Sequence, residues 1–132
     1  MPRAPWLLAP VALATVLSGC SSLGPDSSGV AGVAQAFHAA MAAGDGSAAC
    51  SRLSARVADE LAQAEGSCEQ AVLAADVPAA GEVRSVQVWG GRGLVVLDHD
   101  VVFVAEFDGG WRVTAAGCTP RKDRPYDCTV KG

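Results

Sequence analysis

Aromatic residues are scarce in this 132-residue chain: three Phe, three Trp and one Tyr make up 5% of it. An interior stacked from rings is therefore excluded. Charge is also thin, at 18% against the roughly 25% of an ordinary globular domain. Arg3 is the only basic residue in the first 51 positions, no acid precedes Asp26, and the formal net charge is -4. An acidic chain without a basic stripe is a poor partner for nucleic acid, and its charge alone does not favour anionic membrane surfaces. There are only two His and no C-x-x-C pair, so the spacing of a zinc site or dithiol redox centre is missing. Neither a metal nor a cofactor is expected. No apolar run is long enough to span a bilayer. The longest, Trp6 to Leu17, contains Pro10 and as a helix would rise only about 18 Å, against a hydrocarbon core of roughly 30 Å.

What the N-terminus does contain is the order of parts found in an export signal. Arg3 and the amino terminus are positive, an uncharged apolar stretch follows, and small residues close it. The closing residues, Leu17-Ser18-Gly19-Cys20, resemble the lipobox of bacterial lipoproteins. The resemblance implies a signal peptide over 1–19, cleavage before Cys20, and a diacylglyceryl or palmitate-type lipid on the Cys20 thiol. The protein would then be membrane-anchored on the extracytoplasmic face of the cell membrane. Loss of residues 1–19 would leave 113 residues near -5. Residues 20–29, rich in Ser, Gly and Pro, read as a lipidated tether, and 30–132 as one domain.

With Cys20 set aside, Cys50, Cys68, Cys118 and Cys128 remain. An even number in an exported chain points to two disulfide bonds. Three connectivities are open, and the local pairs Cys50–Cys68 and Cys118–Cys128 are favoured because each lies within one structural region.

The first half of the domain has helical periodicity. Ser27 or Ser28 is placed to cap a helix from about Val30, on which Val33, Ala34, Phe37 and Met41 share a face. Gly44-Asp45-Gly46 ends it. A second stretch carries Cys50, Leu53, Val57 and Leu61 at helical spacing, with Ser54 a point at which it can divide. Ser67 and Gln70 form a capping-box pattern for a short helix to about Ala74. From Glu82 the period becomes that of strands: Val83–Trp89, Leu94–Leu97, Val101–Phe107 with Phe103 and Phe107 on one face, and Trp111–Ala116 with Trp111, Val113 and Ala115 on one face. The intervening turns are 90–93, 98–100 and 108–110. The expectation is an α+β fold in which helices pack on a four-stranded antiparallel meander, one sheet face being covered by Phe37, Met41, Leu53, Val57 and Leu61.

A first helix of the type V-x-x-F-x-x-A ending in Ala-Gly-Asp (Val33 to Asp45), with a last hairpin Phe-Asp-Gly-Gly-Trp-Arg-Val (Phe107 to Val113), resembles the nuclear-transport-factor-2-like fold. The combination is also similar to small actinobacterial lipoproteins carrying such a domain. The resemblance covers about 30–117 and implies a cone with an apolar pocket. Its family includes ketosteroid isomerases, polyketide cyclases and non-catalytic binding modules, so the fold does not choose among them.

Candidate site residues follow from residue type. His38 borders the apolar face of the first helix and is a candidate general base. Trp89, Phe103, Phe107 and Trp111 are candidates to line a pocket. Asp45 is first a helix cap. Asp98-His99-Asp100 has metal-ligand residue types, but consecutive turn residues point apart. The tail 118–128 holds Arg121, Lys122 and Arg124 between two cysteines, as a pinned solvated loop or a recognition loop for an acidic partner. No paired acid and base, nucleophile motif or metal cluster is visible. The leading expectation is therefore a non-catalytic envelope domain that binds a protein or a small apolar ligand. A cyclase- or isomerase-like enzyme using His38 is the alternative.

Overall fold

The computed structural model describes residues 26–132; the leader, Cys20 and most of the tether lie outside them. Four helices come first and a sheet follows: α1 Ser27–Ala42, α2 Gly46–Ser51, α3 Ala55–Glu65, α4 Cys68–Ala74, then β1 Val83–Trp89, β2 Arg92–Leu97, β3 Val101–Phe107, β4 Gly110–Arg121 and β5 Arg124–Lys131. The strands form one antiparallel sheet in sequence order.

Local chemistry explains the helix boundaries. Asp45 accepts from the Ala48 amide at 3.0 Å and caps α2. Ser54 accepts from Val57 at 3.4 Å and caps α3, so the second apolar stretch does divide there. Ser67 accepts from Gln70 at 3.2 Å and caps α4. α1 starts earlier than Val30: Ser27 and Ser28 sit in its first turn, and Asp26 holds the cap position without a side-chain cap bond.

Helix α1 lies across one face of the sheet. Phe37, Val95, Val102, Val113 and Val130 are fully buried there, with Val57 and Val72 joining from α3 and α4. Val dominates this layer, with Phe37 its one fully enclosed ring. Where β5 no longer accompanies β4, the α2–α3 connection takes its place. Val113 donates to Arg52 O at 2.7 Å, and Ser54 donates to Val113 O at 2.9 Å.

The sheet has five strands, not four. The segment expected to be a pinned loop is a β-hairpin in which Cys118 pairs with Cys128, Thr119 with Asp127 and Arg121 with Arg124. Pro120 and Pro125 conceal it in the sequence, because proline usually interrupts a ladder. Here Pro120 falls at a register irregularity and Pro125 lies on the edge strand, the two settings in which a missing N–H is tolerated. A second correction concerns β4. Phe103 pairs with Ala115 but Val104 pairs with Val113, so Thr114 is an extra residue. This bulge turns Ala115 to the face opposite Trp111 and Val113.

Both disulfide bonds are the local pairs, Cys50–Cys68 and Cys118–Cys128. The first joins α2 to α4; the second crosses the last hairpin. In the chain-entropy account each closes a short loop and contributes about 3 kcal/mol. Replacing Cys50 and Cys68 together by Ser should lower the unfolding free energy by roughly 2–3 kcal/mol in urea titration. An unchanged midpoint would show that the α2–α4 link contributes nothing.

Candidate functional site

The two His/Asp-bearing regions of the sequence meet at the interior. His38 projects from α1 toward the β2–β3 turn, where its Nε2 lies 2.7 Å from Asp100 Oδ2. Both residues are buried, and the Asp100 side chain is only 1% exposed. Asp100 also accepts from the amides of Gly117 at 3.1 Å, Cys118 at 3.0 Å and Val101 at 2.7 Å. A buried carboxylate is costly unless its lone pairs are met, and here four donors meet them. The Phe37 and His38 rings meet edge to face, with centroids 5.5 Å apart.

The other members of the Asp98-His99-Asp100 run point elsewhere. Asp98 faces outward, where it accepts from the Glu82 amide at 2.8 Å and pairs with Arg84. The His99 amide donates to Ala80 O at 3.1 Å. The Glu82 hydrogen bond, and after it Arg84, hold the Asp98 carboxyl below its ordinary range. Among the described residues no three His, Cys, Asp or Glu side chains gather around a point.

Two open clefts flank the sheet. The first, about 590 Å³, runs between the C-terminal half of α1 and the segment 75–81, with His38 and Met41 on one wall and Val77 and Leu97 on the other. The second, about 700 Å³, lies on the sheet face that α1 does not cover, with Trp89, Arg92, Phe103, Ala105 and Phe107 along it and Arg56 at the α3 end. The expected pocket residues therefore do not share one pocket. His38 lies at the first cleft, Trp89 and Phe103 at the second, and Trp111 packs beside Gly29 of α1. The interior that a cone would leave open is filled by Phe37 and the valines.

Phe103 is braced from the side by Tyr126, the ring centroids being 5.2 Å apart. Tyr126 lies on β5, in a hairpin to which Pro120 and Pro125 give the sequence pattern of a loop, so nothing in the sequence marks it as a partner of Phe103. In the tail, Arg121 pairs with Asp127 at 2.8 Å, and Lys131 approaches the same carboxylate at 3.9 Å; Lys122 and Arg124 are exposed. Comparison with known proteins adds no relative: no family model, curated protein or solved structure matches this chain.

Removing the Asp100 carboxylate leaves His38 and the buried amides of Gly117 and Cys118 without their acceptor. Asp100→Ala should cost roughly 3–5 kcal/mol, the usual penalty for breaking a buried, hydrogen-bonded ionic cluster, measured by chemical denaturation with both disulfides intact. A loss below about 1 kcal/mol, the level of an ordinary surface substitution, would show that water replaces the carboxylate. At Asp98 the sign runs with pH. Because its folded pKa is depressed, its stabilisation is complete above about pH 4 and is lost as pH falls further. Asp98→Asn should therefore flatten the acid limb of the stability profile while leaving its shape near neutrality unchanged.

Proposed function

We propose that this chain is a lipid-anchored, non-catalytic binding domain of a bacterial envelope, holding an apolar or amphipathic ligand on the uncovered face of its sheet. The observation that carries the reading is the second cleft. In a chain so poor in rings, Trp89, Phe103 and Phe107 stand together along it, with Trp89 48% and Phe107 49% exposed. Water-facing aromatic residues grouped in a groove are a binding surface more often than a packing accident. Two disulfide bonds accord with an oxidising compartment, and the Leu17-to-Cys20 motif accounts for delivery there. The placement of helices on an antiparallel meander supports kinship with the nuclear-transport-factor-2-like fold, with the binding surface moved from the filled interior to the outer face.

The cyclase- or isomerase-like alternative requires a free base in a closed apolar chamber. His38 is the natural candidate, but its Nε2 is engaged by Asp100, and Asp100 is engaged by three amides. That pair is better suited to hold α1 on the sheet than to move a proton.

Two measurements test the proposal. Anilinonaphthalene sulfonate should bind the mature protein saturably. Ala105→Trp, which fills the groove floor without opening a cavity, should weaken binding about tenfold, near 1.4 kcal/mol, with stability unchanged. Equal binding by the variant would place the dye elsewhere. Mass spectrometry of the native protein should find Cys20 as the first residue carrying acyl mass, and Cys20→Ser should abolish membrane retention.

A further inference from the structure

The chain path relates the exposed rings to the anchor. The Val30 amide donates to Asp26 O at 3.0 Å, so Asp26 lies one turn before Val30. Val30 in turn packs over Gly93, where an added Cβ would come within 2.6 Å of its Cγ1. Gly29 is as close to Trp111, 3.0 Å from an added Cβ to Cδ1. Gly93 follows the β1–β2 turn and Trp111 follows the β3–β4 turn. The chain thus enters the domain beside the tips of these two hairpins. At those tips stand Trp89 and Phe107, the two most exposed large apolar residues of the described chain. Trp89, Arg92, Ala105 and Arg112 form one cross-strand row, and Phe107 is next beyond it. Only five residues separate Cys20 from Asp26, a reach of at most roughly 20 Å over six Cα steps.

We propose that the paired tips of β1–β2 and β3–β4 are a membrane-contacting edge, with Trp89 and Phe107 seated in the lipid headgroup region beside the anchor. The inference rests on acylation of Cys20. The Trp89 indole, apolar with one N–H, favours that layer, and the Phe107 ring adds apolar area beside it. Charge does not carry the contact: Arg92 and Arg112 are matched at the same end by Glu106 and Asp108, with Asp26 close by. The basic residues Arg121, Lys122 and Arg124 are at the far end of the 12-residue strand β4, at most roughly 35 Å away at strand rise. The tether supplies what charge does not. It holds the tips at millimolar effective concentration against the bilayer, so two rings suffice where the free domain would not bind. The groove of the second cleft then opens toward the membrane surface.

The test uses the mature lipidated protein in phosphatidylcholine vesicles, with and without phosphatidylcholine brominated near the headgroup. After leader removal Trp89 and Trp111 are the only Trp residues. Trp111→Phe isolates Trp89, and Trp89→Phe in the otherwise native chain gives the same reading by difference, should the first variant fold poorly. Trp89 emission should fall about twofold with the brominated lipid, as expected of a ring at interfacial depth. Adding phosphatidylglycerol, or replacing Lys122 and Arg124 by Glu, should leave this unchanged. Flotation with the vesicles and no quenching of Trp89 overturns the edge while leaving the anchor intact. Failure to float, with no acyl mass on Cys20, overturns the anchor and the edge together. Quenching that appears only with phosphatidylglycerol and disappears in the Lys122→Glu/Arg124→Glu variant would assign the contact to the basic hairpin and reject the edge.

Discussion

One buried carboxylate decides how the two halves of this domain meet. Asp100 sits at the β2–β3 turn, facing inward, and accepts from a helix on one side and a strand on the other. The strand needs it because β4 changes course at Gly117. There φ is +63°, and an added Cβ would lie 2.1 Å from Thr129 Oγ1, so only glycine fits. A backbone turned this way releases the amides of Gly117 and Cys118 from the ladder, and in the interior they must find another acceptor. Asp100 provides one for both. It thereby fixes where β4 resumes, how Cys118 meets Cys128, and where β5 lies. Through His38 the same carboxylate holds the C-terminal half of α1 against the sheet. Ionic hydrogen bonds to a fully enclosed carboxylate are short and strong, and they are specific in position where valine packing is not.

The α+β order, the Asp45 and Ser67 caps and the cysteine pairs were legible in the sequence because each depends on neighbours within about 20 residues. Ser54 was legible as a break rather than as a cap, and each pair of cysteines lies within a single region. What escaped was non-local. His38 and Asp100 are 62 positions apart, and nothing in either neighbourhood marks them as partners. The fifth strand was hidden by Pro120 and Pro125, whose ordinary meaning is an end to pairing. Strict alternation also failed at Thr114, because a bulge adds a residue that a period-two pattern does not anticipate. Trp89, Phe103, Phe107 and Trp111 are legible as sheet residues and Tyr126 is not, and which face is left open depends on the position of α1.

The faces of the sheet divide the work. The face beneath α1 is closed, dry and built largely from valine, a residue that loses little side-chain freedom on ordering and suits a pleated surface. The other face carries Trp89, Phe103, Phe107 and the Tyr126 that braces Phe103. Gln87 on β1 and Arg92 on β2 remain exposed, which keeps this face soluble between its apolar positions.

That distribution bears on function more directly than any single residue does. Six aromatic residues fall within the described chain, and only Phe37 is wholly enclosed. A small domain short of rings would gain most stability by burying those it has, since each removes a large apolar area from water. This domain leaves Trp89, Phe107 and Tyr126 exposed instead, the first two at the hairpin tips nearest the point where the chain enters. Stability is recovered elsewhere, through two disulfide bonds and the four-donor cluster at Asp100. A fold that relies on covalent links and a buried carboxylate for cohesion frees its aromatic side chains for contact with something outside itself. The first turn of α1 touches both hairpins, so Trp89 and Phe107 stand at the end of the domain where the chain enters.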